Sequence, residues 1–224
     1  ANLISKQGSY AIDIESTSSG EGYWVLDSRG KFHRFGDATL IPDAQLGNLK
    51  SLYNFGLSSN RPEVVVSSIP TESGRGAYVF TNIGRVMRVG DAAAISDSVG
   101  REDLLWISQL NAPIVDARLS PDGQGYWMLS ADGGIFTFGT ATFAGSVPDK
   151  PRSDWINEEI ISFSVSENGL GYVVVAKSGK AWWFNFEERP QLPKVLLEAF
   201  GSSRLNSPIA AVMTRSCGGY LMVA

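Results

Sequence analysis

The chain alternates between short runs of large apolar side chains and short clusters of glycine, serine, asparagine and aspartate. Five runs follow one pattern: Gly22-Tyr23-Trp24-Val25-Leu26, Gly76-Ala77-Tyr78-Val79-Phe80, Gly125-Tyr126-Trp127-Met128-Leu129, Gly171-Tyr172-Val173-Val174-Val175 and Gly219-Tyr220-Leu221-Met222-Val223. They recur about every 50 positions, the signature of a repeat architecture. In the first four, another glycine follows (Gly30, Gly84, Gly133, Gly179), and then a second apolar run: Lys31 to Phe35, Arg85 to Val89, Gly134 to Phe138 and Lys180 to Phe184. Gly36, Gly90 and Gly139 close the first three of these runs. Asn185 closes the fourth, and asparagine, like glycine, tolerates a left-handed backbone. Two aromatic and β-branched runs around a tight turn such as Ser130-Ala131-Asp132-Gly133-Gly134 predict a hairpin in each unit.

A further strand is expected upstream of each hairpin, at Tyr10 to Ile14, Glu63 to Ser67, Ile114 to Leu119, Ile160 to Val165 and Ile209 to Met213. In Tyr126-Trp127-Met128-Leu129 the residues aimed at both faces are large and apolar, so the sheet must be covered on both sides. Three or four short antiparallel strands per unit, buried on both faces, describe an all-β fold, a β-propeller of about five blades. A β-sandwich also uses many short strands, but it favours polar-out alternation and needs no spaced copies of one motif. Helix should be scarce, with single turns expected in Asp97 to Leu110 and Leu192 to Phe200. One domain spanning 1–224 is expected, with repeats near 9–59, 60–110, 111–157 and 158–205, and a fifth, 206–224, completed by 1–8. Ile4-Ser5 aligns with Ile107-Ser108. Either the N-terminal segment joins the last unit's sheet and hides its edge, or the sequence is a stretch of a longer array.

Composition then removes several functions. A net charge of −4 and no basic cluster argue against nucleic-acid binding, and no apolar run approaches a membrane span. The single cysteine, Cys217, excludes an internal disulfide framework, and Ser216-Cys217-Gly218-Gly219 reads as a turn. The only histidine, His33, lies on a predicted strand with no Gly-x-Ser-x-Gly elbow, so a serine hydrolase is disfavoured and no His/Cys metal set is available. No cofactor is implied. Asp122-Gly123 and Asp132-Gly133 leave calcium conceivable, although Asp-Gly belongs first to hairpin turns.

Three kinds of function remain: a lectin-like binding module, a protein-interaction or displayed scaffold, and a five-bladed glycoside hydrolase. For a lectin, flat aromatic faces matter. Trp24 and Trp127 recur at equivalent positions and read as packing, whereas Trp106 and Trp155 lie in variable connections. Trp182 and Trp183 are adjacent on one strand and should point to opposite faces. A hydrolase would need carboxylates converging on the channel, for which Asp13, Glu63 and Asp116 are the candidates in or beside first strands. Asp37 and Asp91 are repeat-equivalent, which favours turn hydrogen bonding. For a scaffold, the long connection around Pro42 to Asn60 would carry specificity.

The third unit, Gly125-Tyr126-Trp127 … Asp132-Gly133-Gly134-Ile135-Phe136-Thr137-Phe138-Gly139 … Phe143-Ala144-Gly145-Ser146, resembles a repeat of actinobacterial secreted and surface proteins that reads GYW, DGGIFxFGDA, FxGS. Gly36-Asp37-Ala38 and Gly90-Asp91-Ala92 match its GDA element, while Thr140 and Asn185 depart from it. The resemblance spans essentially the whole chain and implies propeller blades and an extracellular or cell-surface location. It brings no catalytic residues. Blade size and count are also similar to five-bladed lectins of the tachylectin type. Together these imply a monomeric domain whose partner is a glycan or a surface protein.

Overall fold

The computed structural model describes residues 8–51, 53–55, 60–107, 109–185, 211–214 and 220–223. Among them, strands form five antiparallel sheets, each built from consecutive segments. The first is β1 (Ala11–Ser16), β2 (Tyr23–Asp27) and β3 (Phe32–Phe35); the second β4 (Val65–Pro70), β5 (Ala77–Thr81) and β6 (Val86–Val89). The third is β7 (Ile114–Leu119), β8 (Gly125–Ser130) and β9 (Ile135–Gly139); the fourth β10 (Ile160–Val165), β11 (Tyr172–Ala176) and β12 (Ala181–Phe184). The fifth pairs β13 (Ala211–Thr214) with β14 (Tyr220–Val223).

First strands meet in order, β1 against β4, β4 against β7, β7 against β10 and β10 against β13. The sheets therefore radiate from an axis lined by their first strands, which is the expected all-β propeller. Its core is a series of slabs between sheets. Trp24 and Leu26 of the first sheet meet Ala77 and Val79 of the second. Tyr78 and Phe80 meet Tyr126 and Met128. Trp127 and Leu129 meet Tyr172 and Val174. The middle strands β5, β8 and β11 are buried throughout, as the unbroken apolar runs require.

Each of the first four sheets carries one irregularity at the same place. The register shifts between Ala11 and Asp13, Val65 and Ser67, Ile114 and Asp116, and Ile160 and Ser162. A bulge of this kind re-aims the residues that follow it. It places Asp13, Ser67, Asp116 and Ser162 at one equivalent position, with Glu15, Ile69, Arg118 and Ser164 two residues further on.

The motif glycines are explained by close backbone approach. A Cβ on Gly22 would sit 2.6 Å from the Phe35 carbonyl oxygen. Asn185, standing where the other units have glycine, takes φ 45° and donates its side-chain amide to the Leu170 carbonyl. Two expectations need correction. The described residues of the segment Asp97 to Leu110 form no helix; its first turn is closed by the Asp97 carboxylate on the amides of Val99 and Arg101. Short 3-10 turns occur instead at Val147–Asp149 and Arg152–Asp154, where Pro148 and Pro151 favour a turn start. The second unit's first strand begins at Val65, so Glu63 lies outside it. Leu192 to Phe200, Cys217 and the proposed completion of the fifth unit by the N-terminal residues fall outside the described residues.

Candidate functional site

The bulge position makes a clasp between neighbouring units. Asp13 Oδ2 accepts the Ser68 amide at 2.7 Å and the hydroxyls of Ser67 and Ser68. Asp116 Oδ2 likewise accepts the Ser162 hydroxyl at 2.8 Å and the Phe163 amide at 3.2 Å. Its other oxygen takes the Arg118 guanidinium at 2.6 Å and the Ala117 amide. The sequence of residues at this position, Asp, Ser, Asp, Ser, thus alternates acceptor with donor around the axis. Burial pushes the Asp116 carboxyl up, while Arg118 and Ser162 pull the other way.

Glu15 was not foreseen. It stands on the same edge of β1 as Asp13, and no described residue hydrogen-bonds its carboxyl. Burial pushes it up to about 8, with the charges of Asp13 and Asp116 adding to the rise and Arg118 opposing it. At neutral pH it is therefore a neutral acid on the channel wall. The equivalent residues are Ile69, Arg118 and Ser164, and that disagreement between copies was the legible signal.

Of the three carboxylates considered for hydrolysis, Asp13 and Asp116 share one electrostatic neighbourhood. Glu63 has a separate role. Its Oε1 accepts Arg85 Nε at 2.6 Å and the Thr81 hydroxyl at 2.9 Å, and its Oε2 accepts the Lys50 amide at 2.8 Å. Burial alone would raise its pKa, but Arg85 and these donors hold it below the ordinary value. It ties a long connection to the second sheet.

The tryptophans separate cleanly. Trp24 and Trp127 are buried and donate from Nε1 to the carbonyls of Thr39 and Thr142, so their equivalence is indeed packing. Trp182 is buried with Val174 in one slab and Trp183 packs beside Val173 and Val175 on the other face. Trp155 rests on the slab between the third and fourth sheets and donates to the Lys150 carbonyl. Trp106 alone of the six is an exposed ring, 55% accessible, with the Arg101 guanidinium 4.2 Å from its centroid.

The turn acids are likewise accounted for. Asp37 accepts the hydroxyls of Thr17 and Ser19, and Asp91 those of Thr71 and Ser73. In the third unit the partners exchange places: Asp122 sits in the turn and Thr140 on the far loop, donating to it. The departure from GDA at Thr140 is a swap that keeps the bond. Asp122 and Asp132 also accept the amides of Gln124 and Gly134 within their own turns. His33 and Ser9 both bond Asp27 Oδ2, which places the acid between them rather than the imidazole between serine and acid.

A groove of about 400 Å³ opens between the first two sheets at their turns. Glu15 closes its inner end; Trp24, Ile69 and Pro70 form an apolar wall; Ser18 and Glu72 line its mouth.

No family profile and no curated protein matches the chain. Among solved structures it is similar to the Cps50 (Swd1) β-propeller domain of Myceliophteria thermophila, at 12% identity and a TM-score of 0.43, over 91% of this chain and 76% of that one. The fold assignment rests on the sheets and their shared axis.

Proposed function

We propose that this propeller is a non-catalytic binding domain that recognises a carbohydrate or another cell-surface ligand. The observation that carries this reading is Trp106. It is a large aromatic ring left 55% exposed on a variable connection, with the Arg101 guanidinium over one face. Stacking on a sugar ring or a partner side chain is the use such a surface has. The occupied carboxylates favour binding over hydrolysis. Asp13, Glu63 and Asp116 each hold backbone amides or an arginine of the scaffold. The likeness of the repeats to those of actinobacterial surface proteins supports a secreted or displayed location.

A glycan array tests the reading directly. Specific binding that Trp106→Ala abolishes, with the thermal midpoint unchanged, is the expected result. A blank array together with Trp106-dependent capture of a surface protein would make the domain a protein-interaction scaffold. Turnover of a glycan would overturn the non-catalytic reading.

A further inference from the structure

We propose that the groove between the first two sheets is a second ligand site, separate from Trp106, and that it takes a neutral polyhydroxylated molecule of the size of a sugar. At about 400 Å³ its volume falls within the range of small-molecule pockets. Its lining decides the class of occupant. Among the described residues no lysine or arginine borders it, while the carboxylates of Asp37 and Glu72 do, so phosphate, nucleotide and carboxylate ligands are repelled. Asp37 is already committed to Thr17 and Ser19, which draw its carboxyl below the ordinary range.

The inner wall is different in kind. Glu15 is protonated at neutral pH, so it offers one O–H donor and a carbonyl acceptor without a charge that would demand a cation. Beside it on the paired strand stands Trp24; Ile69 and Pro70 of the second sheet complete the apolar lining, and Ser18 and Glu72 lie on exposed turns at the mouth. An apolar wall facing isolated hydrogen-bonding groups matches a sugar, which carries C–H faces and hydroxyl edges on one ring. A bare polyamine would need ionised partners at the inner end. Burial keeps Glu15 neutral rather than charged, and of the groups facing it along the channel Asp13 and Asp116 add to that while Arg118 opposes it.

The site and the Trp106 reading stand or fall separately. The experiment is a calorimetric and NMR titration of the whole chain with methyl glycosides, with inorganic phosphate and spermidine as counter-probes. One or more methyl glycosides should bind at pH 6.5, and Ser18→Trp, which fills the mouth from an exposed turn, should weaken binding roughly tenfold or more. Glu15→Gln should retain it, Glu15→Ala should weaken it, and Trp106→Ala should leave it within about twofold. Binding by the wild type should fall above pH 8, whereas Glu15→Gln should bind equally on both sides of it. Absence of glycoside binding, retention by Ser18→Trp at full strength, or saturation by spermidine or phosphate in place of sugar would each overturn the proposal. Loss with Trp106→Ala alone would move the sugar to the other site and leave the lectin reading intact.

Discussion

Tyr23 with Phe35 in the first sheet and Tyr126 with Phe138 in the third are the same pair in the same register. Their rings stack almost identically, with centroids 4.7 and 4.9 Å apart and planes inclined by 17° and 21°. Yet Tyr23 and Phe35 are each 39% exposed, while Tyr126 and Phe138 are 1% and 3% exposed. Phe80 of the second sheet meets the edge of Tyr126, and the Tyr126 hydroxyl donates to the Glu102 carbonyl. The corresponding face of the first sheet, with Ile14 and Tyr10, is open. The contrast teaches that the motif encodes a face, and that its energetic value comes from the unit in front of it.

The sharpest way to break this comparison is truncation of each tyrosine. Tyr126→Ala should cost about 3–5 kcal/mol, because it empties a closed slab and removes the hydroxyl that donates to the Glu102 carbonyl. Tyr23→Ala should cost under about 1 kcal/mol. Urea unfolding of both variants decides it. Equal costs would mean that the first face is covered in solution by another repeat unit.

A second contrast lies at the clasps. Asp116→Ala should cost about 3 kcal/mol, since it leaves Arg118 without its carboxylate and the Phe163 amide unpaired. Asp13→Ala, at a less enclosed position where the carboxylate holds serine groups in place of a guanidinium, should cost about 1 kcal/mol. Thermal midpoints of the two variants should keep that order, and a reversal would sink the assignment.

The register-mates Glu15 and Arg118 give a pH test. Folding raises the Glu15 carboxyl from an ordinary 4.5 to about 8, so the folded chain holds this proton more tightly than the unfolded one. Its contribution is complete below about 4.5 and is lost as pH rises towards 8. Glu15→Gln should flatten that decline in unfolding free energy. An unchanged slope would show that the carboxyl titrates normally.

The smallest effect is expected at the turns. Asp37→Thr should lower the thermal midpoint slightly, and adding Ser19→Asp should restore it by recreating the Asp122–Thr140 arrangement of the third unit. Failure of the second change to rescue the first would mean that the two turns are not interchangeable.

Much of the architecture was readable because its causes are local. A glycine before each aromatic run, an Asp-Gly turn and an apolar pair facing both ways each specify a strand or hairpin without distant partners. Glu63 was misread because a carboxylate two residues before a strand reveals nothing about Arg85, whose guanidinium claims it across the hairpin. Trp106 and Trp155 had equal standing as variable-loop residues, and only packing separated an exposed ring from one resting on a slab. Asp13 and Asp116 could be read as candidate channel acids but not as clasps, because the amides they accept lie on the next unit's strand, roughly fifty residues away.

What the sequence determined by itself was therefore the repeated unit: the apolar run of each strand, the turns, and the faces that had to be covered. Tertiary structure alone decided which faces were covered, which acids were spent on neighbouring strands, and where Glu15 met the groove. The physical reason is range. Backbone geometry and apolar patterning act within a few residues, whereas burial and charge depend on whatever the fold brings alongside.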